Sequence, residues 1–359
     1  MLPKFPHKTF FVWERMDLPL QLQTAYQDLL QHHAAEPALS IDGSILSRSK
    51  NSGIYWFVRK RDGDRMIETA LGPDSSELRV LIEQARREQE RHKAWSRTAA
   101  ADVAVLRAGR CLAPDMQTGR LLSAIARTGF FEAGGMLGGT QAFRHYPLML
   151  GVDAPSISFA LTGDVDLLAS RAVRLAGEGP GLASRIQEIG IEMETVFGFY
   201  DDHPPKWRIG GTLELEFLSP VGSGGGSSHH HPGIGERVQA IRFLEYSLDD
   251  PATAVSLYRS GVKVRVPAPE RYALHKLIVA QLRDGPYREK RAKDLGQAEW
   301  LIGVLAERRP YELWAALDNL LRRGPKWRRL SKLSVEERPA IADRLQAIEE
   351  EFGPAGDGD

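Results

Sequence analysis

Two aspartates, Asp164 and Asp166, stand two positions apart in T-G-D-V-D-L, residues 162 to 167, between apolar neighbours. In an extended chain, positions i and i+2 point the same way, so both carboxylates share one face. There they repel unless a proton or a cation lies between them. Magnesium is held by one or two carboxylates together with substrate phosphates, and paired metals clamp the attacking and leaving oxygens of a displacement. A third acid is available in G-T-L-E-L-E-F-L-S-P, where Glu214 and Glu216 share a face by the same alternation and either one completes a triad. Upstream, Gly138-Gly139-Thr140 lies between a short apolar run and a helical pattern. Backbone N–H groups at such a junction, with a hydroxyl beside them, receive phosphate. The plainer alternative for each acid is a solvated strand face.

These residues need elements to hold them. Residues 16 to 34 carry Leu18, Leu22, Ala25, Tyr26, Leu29 and Leu30 at helical spacing. Residues 43 to 73 are β-formers divided by Asn51-Ser52-Gly53 and Asp62-Gly63, which predicts a three-stranded meander. A charged helix over 75 to 98 follows, with Leu78, Leu81, Ile82 and Ala85 as its buried stripe and R-R-E-Q-E-R-H-K as a solvated continuation. From Pro114 the pattern mixes helix (115 to 129 and T-Q-A-F-R-H-Y-P-L-M-L) with strand: I-S-F-A-L-T-G-D-V-D-L-L, 191 to 199 and 212 to 218. Such a mixture predicts an α/β or α+β unit. Residues 222 to 233 read as a flexible Gly/Ser loop, in which His229, His230 and His231 have no fixed geometry for a metal shell. After Pro267 the chain reads as helical, with core stripes at Leu274, Ile278 and Leu282 and at Leu295, Ala298, Ile302 and Leu305, then two helices near 310 to 322 and 334 to 351. The expected division is 1–110, 111–266, a helical 267–352 and a disordered tail, 353–359.

Lys plus Arg and Asp plus Glu both number 47, so no field of the whole molecule draws nucleic acid or membrane. Basic surface must be local. Two segments mix cations with aromatics: Arg48, Lys50, Tyr55, Trp56, Arg59, Lys60 and Arg61, and Arg322, Arg323, Lys326, Trp327, Arg328, Arg329 and Lys332. Each has the composition to grip phosphates and stack bases, or simply to be solvated charge around buried tryptophan. A single cysteine, Cys111, excludes an intrachain disulfide framework. With no signal-peptide core and no run of membrane-spanning length, the expectation is a cytoplasmic protein with no membrane partner.

Taken in order, M-L-G-G-T-Q-A-F-R-H-Y, T-G-D-V-D-L and L-E-F-L-S-P resemble the nucleotidyltransferase superfamily with the DNA polymerase β type of fold. Over roughly 115 to 308, with P-A-P-E-R-Y-A-L-H-K-L-I and K-D-L-G-Q-A, the chain is similar more narrowly to the bacterial GSU2403-type nucleotidyltransferase-fold group. Abortive-infection nucleotidyltransferase toxins are its distant relatives. The resemblance implies an α+β fold: a polymerase β-like core of mixed sheet flanked by helices, a C-terminal helical bundle, and the N-terminal helix and meander. It implies Mg²⁺- or Mn²⁺-dependent transfer of a nucleotide from an NTP to a hydroxyl of RNA, protein or a small molecule. Asp164, Asp166 and Glu216 then hold metal, Gly139 and Thr140 cradle phosphate, and Lys276, Arg283 and Asp294 act from the helical side. Lys276 and Arg283 are seven apart, on the helix face away from Leu274 and Ile278. As the plainer alternative, they form an exposed helix face, Asp294 bridges to Lys290, and His275 only packs. Threonine stands where the family has serine, glutamate where its third acid is aspartate, and the extra residues around 147 to 157 must form a loop. The rival expectations are a non-catalytic nucleotide- or RNA-binding module, a toxin–antitoxin component, and a nucleic-acid-binding regulator.

Overall fold

The computed structural model describes residues 17–50, 53–62, 65–155, 157–196, 206–222, 225–283, 285 and 288–353. Helix α1 (Leu20–Ala34) leads into β1 (Ser44–Lys50), β2 (Gly53–Asp62) and β3 (Arg65–Pro73), an antiparallel meander in the order its alternation predicts. Residues 51–52 and 63–64, within the expected turns, lie outside the described residues. Helix α2 (Ser76–Ala108) starts where the Ser75 hydroxyl accepts from the Leu78 N–H at 3.1 Å, and it runs ten residues past the expected end. Its stripe also differs. Leu81 is 59% exposed, whereas Ile82, Ala85, Glu88, Ala99, Val103 and Leu106 are buried. The helix serves two partners along its length, the second being α1, whose Leu22, Tyr26 and Leu29 share a cluster with Ala99, Val103 and Leu106. Glu88, in the supposedly solvated run, is buried because it accepts from both the N–H and the hydroxyl of Ser40.

The central region comprises α3 (Met116–Arg127), β4 (Met136–Leu137), α4 (Gly139–Phe143), α5 (Tyr146–Leu150), α6 (Ile157–Ala160), β5 (Asp164–Leu168), α7 (Leu182–Glu188), β6 (Glu194–Val196), β7 (Lys206–Ile209), β8 (Leu213–Pro220), β9 (Ser228–His231), β10 (Glu236–Ile241), α8 (Glu245–Leu248) and a hairpin of β11 (Pro251–Ser256) and β12 (Val262–Pro267). The main sheet has the order β4-β5-β8-β10-β9. β5, β8 and β10 run parallel; β4 and β9 are antiparallel to their neighbours. β7, with β6 outside it, takes the edge of β8 that lies opposite β5. Among the described residues five α-helices follow: α9 (Pro269–Gln281), α10 (Arg288–Arg308), α11 (Pro310–Arg322), α12 (Pro325–Glu336) and α13 (Pro339–Phe352). This is the expected α+β arrangement, a mixed sheet flanked by helices with further helices at its C-terminal end.

Several expectations need correction. The strand expected from Ile157 is a helical turn as far as Ala160, because Arg144 Nη1 and Gln297 Nε2 capture the carbonyls of Ala160 and Phe159 at 3.0 and 2.7 Å. The supposed loop at 147 to 157 begins as α5, and Val152 bridges to Asp17. The histidine segment is not a free loop: His229, His230 and His231 lie in β9 against β10, and buried His231 donates from Nε2 to the Ser170 carbonyl at 2.9 Å. Helix α12 is additional to the two expected helices, its buried positions Trp327, Leu330 and Val335 lying among basic residues. The expected strand beyond 196 and the tail from 354 lie outside the described residues.

One apolar core links the sheet to the C-terminal helices, joining Leu121, Val165, Leu215 and Phe217 to Leu274, Leu301, Leu317 and Leu345. Helix α9 is buried from Pro269 to Ile278 without a break, and of its expected stripe only Leu282, at the C-cap, is exposed.

Candidate functional site

The parallel register of β5 and β8 sets Asp164 opposite Glu214 and Asp166 opposite Glu216. Val165, Leu167, Leu215 and Phe217 alternate with these acids and enter the core. Four carboxylates therefore crowd one face of two adjacent strands. The two glutamates, alternatives in the sequence, are neighbours in space. Carboxylate oxygens of Asp164, Glu214 and Glu216 lie within 4.8 Å of one another, a donor set suited to a hard divalent cation.

Cations border the acids on both sides. From β7, Lys206 Nζ is 2.5 Å from Glu216 and 3.6 Å from Glu214, and Arg208 Nη2 is 3.3 Å from Glu214. From α10, Lys290 Nζ is 3.1 Å from Asp164, and Lys293 Nζ donates to the Leu161 carbonyl. Burial, then the charges of Glu216 and Asp164, push the Asp166 carboxyl up to about 6, against the pull of Lys276 and Lys290. Burial also works against the charge on Lys206, but Glu216, Glu214 and Asp164 outweigh it and raise its ammonium above the usual range.

The Gly138-Gly139-Thr140 turn touches this face directly. The Gly138 N–H donates to the Asp166 carbonyl at 2.7 Å, anchoring the end of β4 to β5. Gly139 has φ +52°, and a Cβ there would lie 1.8 Å from Asp166 Oδ2. The carboxylate rests on the bare Cα, a contact that requires glycine. On the helical side, Lys276 Nζ lies 2.5 Å from Asp294 Oδ1, and Arg283 Nε lies 2.9 Å from Asp294 Oδ2. Burial raises the Asp294 carboxyl, and the two cations more than offset it, holding it below its usual value.

The bland surface readings fail on this side of the site. Lys276 is only 9% exposed, and Asp294 pairs with Lys276 and Arg283 while Lys290 turns to Asp164. His275 does pack: it is buried, and burial followed by Lys276 pushes it down to about 3. Lys206, Arg208, Tyr272 and Gln297 are not marked out by the sequence, and Lys290, expected beside Asp294, pairs with Asp164 instead. Alternation in K-W-R-I would have put Lys206 and Arg208 on one face, but only strand pairing shows whose charges they meet. In the meander, Arg48 and Arg59 pair with Glu68, Lys60 with Asp42, and Trp56 Nε1 with Asp74. At the other basic segment, Trp327 is buried against Phe243 with ring centroids 4.5 Å apart, and Arg323 pairs with Asp249. Among the described residues no helix is long and apolar enough to cross a membrane.

An acidic sheet face beside a glycine turn, with lysines opposite, has the oxygen donors that a hard divalent cation takes. A family profile described as nucleotidyltransferase matches residues 116–322, from α3 to the end of α11 and including Asp164, Asp166, Glu214, Glu216 and Asp294. The chain belongs to this nucleotidyltransferase family. The crystal structure of an antigenic nucleotidyltransferase-like protein from Paracoccidioides brasiliensis is similar at 17% identity over 66% of this chain and 94% of that one. Its TM-score of 0.32 is too low for it to inform residue roles. No curated protein matches the chain.

Proposed function

We propose that this chain is a metal-dependent nucleotidyltransferase of the GSU2403-type group that moves a nucleoside monophosphate from an NTP to an acceptor hydroxyl. The observation that carries this reading is the carboxylate face of β5 and β8, packed against Gly139 inside the family match. Asp164 and Glu216, grouped with Glu214, and Asp166, paired with Glu216 across the strands, would hold Mg²⁺ or Mn²⁺. Such an ion, when bound, supplies charge that offsets the triphosphate and the departing pyrophosphate. Gly139 and Thr140 seat phosphate oxygens, and Lys276 and Arg283, steadied by Asp294, meet the leaving-group charge. A carboxylate of the cluster, Glu216 in this reading, takes the acceptor proton. The acceptor oxygen bonds the α-phosphorus as its bond to the β-phosphate bridging oxygen breaks. RNA, protein and small-molecule hydroxyls all satisfy this chemistry.

One observation favours a second reading. Lys206 and Lys290 already neutralise Glu216 and Asp164, as in a module that binds nucleotide without turnover or serves as a toxin–antitoxin component. Incubating the protein with each α-labelled NTP and Mg²⁺ or Mn²⁺ separates the two. Transfer predicts pyrophosphate release and a labelled acceptor, both lowered about 100-fold or more in Asp166→Asn. Affinity without pyrophosphate selects the binding module. Salt-dependent RNA binding that is indifferent to Asp166→Asn selects a nucleic-acid regulator.

A further inference from the structure

Two residues outside the acidic face hold its glycine turn from behind. Tyr272 on α9 and Gln297 on α10 are 4% and 0% exposed. The Tyr272 hydroxyl lies 3.0 Å from the Gly139 carbonyl oxygen and 2.9 Å from Gln297 Oε1. Its single proton serves two acceptors, and burial raises the phenol far enough that it keeps that proton. The Gln297 amide uses its other end too: Nε2 donates to the Phe159 carbonyl at 2.7 Å and reaches Thr140 Oγ1 at 3.5 Å. Every polar atom of both side chains is thus spent on the turn, on α6 or on each other.

Direction follows from the peptide plane. No cis bond occurs among the described residues, so the Gly139 carbonyl and the Thr140 N–H point oppositely. Drawing the carbonyl into the buried phenol turns the N–H away from it. The same turn carries the Asp166 carboxylate on Gly139 and ties the Asp166 carbonyl to the Gly138 N–H. We infer that Tyr272 and Gln297 are positioning residues for nucleotide, locking the Gly139–Thr140 peptide in the orientation that seats a phosphate beside Asp166. This inference rests on the nucleotidyltransferase reading and adds to it the part of the helical layer that sets substrate affinity.

The test uses the full chain with Tyr272→Phe, which removes only the hydroxyl, and Gln297→Met, which keeps the volume. Each is expected to raise KM for the NTP that the wild type turns over about tenfold, the effect of losing one buried hydrogen bond, with kcat changed less than threefold. Hydrogen exchange of the peptide covering 138–143 should quicken about tenfold, in keeping with the same loss, while the sheet keeps its protection. The double variant should be little worse than the worse single, because both residues act through one network. A purely structural loss would lower the active fraction, hence kcat, and leave KM unmoved. That result, or unaltered exchange at 138–143, or exchange quickened across all of α9 and α10, overturns the inference. A wild type that turns over none of the four NTPs removes the nucleotidyltransferase reading itself. Turnover with unmoved KM in both variants removes only the positioning role.

Discussion

At Gly139 and Asp166 the contact is so close that one methyl group decides it. Gly139→Ala would put a Cβ into Asp166 Oδ2 at a left-handed φ, costing about 1–2 kcal/mol in backbone strain and displacing the carboxylate. Urea denaturation together with NTP turnover checks this, with activity expected to fall about 100-fold or more. Asp166 itself trades stability for charge. Its carboxyl holds a proton more readily folded than unfolded, so it contributes stability in acid that is lost as pH rises from 3.8 through about 6. In EDTA at pH 7.5, Asp166→Asn should therefore raise folding stability by about 1–2 kcal/mol, with no gain near pH 3.5, as two urea titrations would show. Asp294 has the opposite character: its fall in pKa reflects two cations that depend on it. Asp294→Ala strands buried Lys276 and should cost about 3–5 kcal/mol in chemical denaturation, and Lys276→Met in the same chain should recover most of it.

Between elements, pairing decides what alternation alone leaves open. Any strand with acids at i and i+2 presents them on one face, but the concentration of charge here comes from laying β5 parallel to β8 with β7 along the other edge. Helix α10 reaches the same region because Gly296 lets it lie against α6, where an added Cβ would be 2.4 Å from the Phe159 ring. Gly296→Ala is expected to cost about 1–3 kcal/mol by overpacking, visible as a lowered midpoint in thermal melts. Elements with a strong period of their own, such as the meander and α3, were legible in the sequence. Helix α6, hidden in an apolar run, and β9, hidden in a Gly/Ser/His segment, were not, since each forms on contacts with distant residues: Arg144 and Gln297 for one, β10 for the other.

Across the whole molecule, the apolar core that joins the sheet to α9–α13 contrasts with the thinly buried meander, where Phe57 is the one buried apolar side chain among the described residues of β1–β3. Native-state hydrogen exchange should show β5, β8 and α9 opening together at the global free energy. The meander amides should exchange at least about tenfold faster through a smaller opening. The acidic face then sits on the most stable part of the structure, as a preorganised site requires.

From the sequence alone came the α+β class, the spacing that faces Asp164 with Asp166 and Glu214 with Glu216, the glycine turn and the family likeness, because these depend on residue type and local period. Which strands pair, that Lys206 and Lys290 meet the acids, that Asp294 joins Lys276 to Arg283, and that Tyr272 and Gln297 hold Gly139 were settled only by the tertiary structure. The reason is physical: these contacts bridge residues up to 157 positions apart, beyond the reach of any local period.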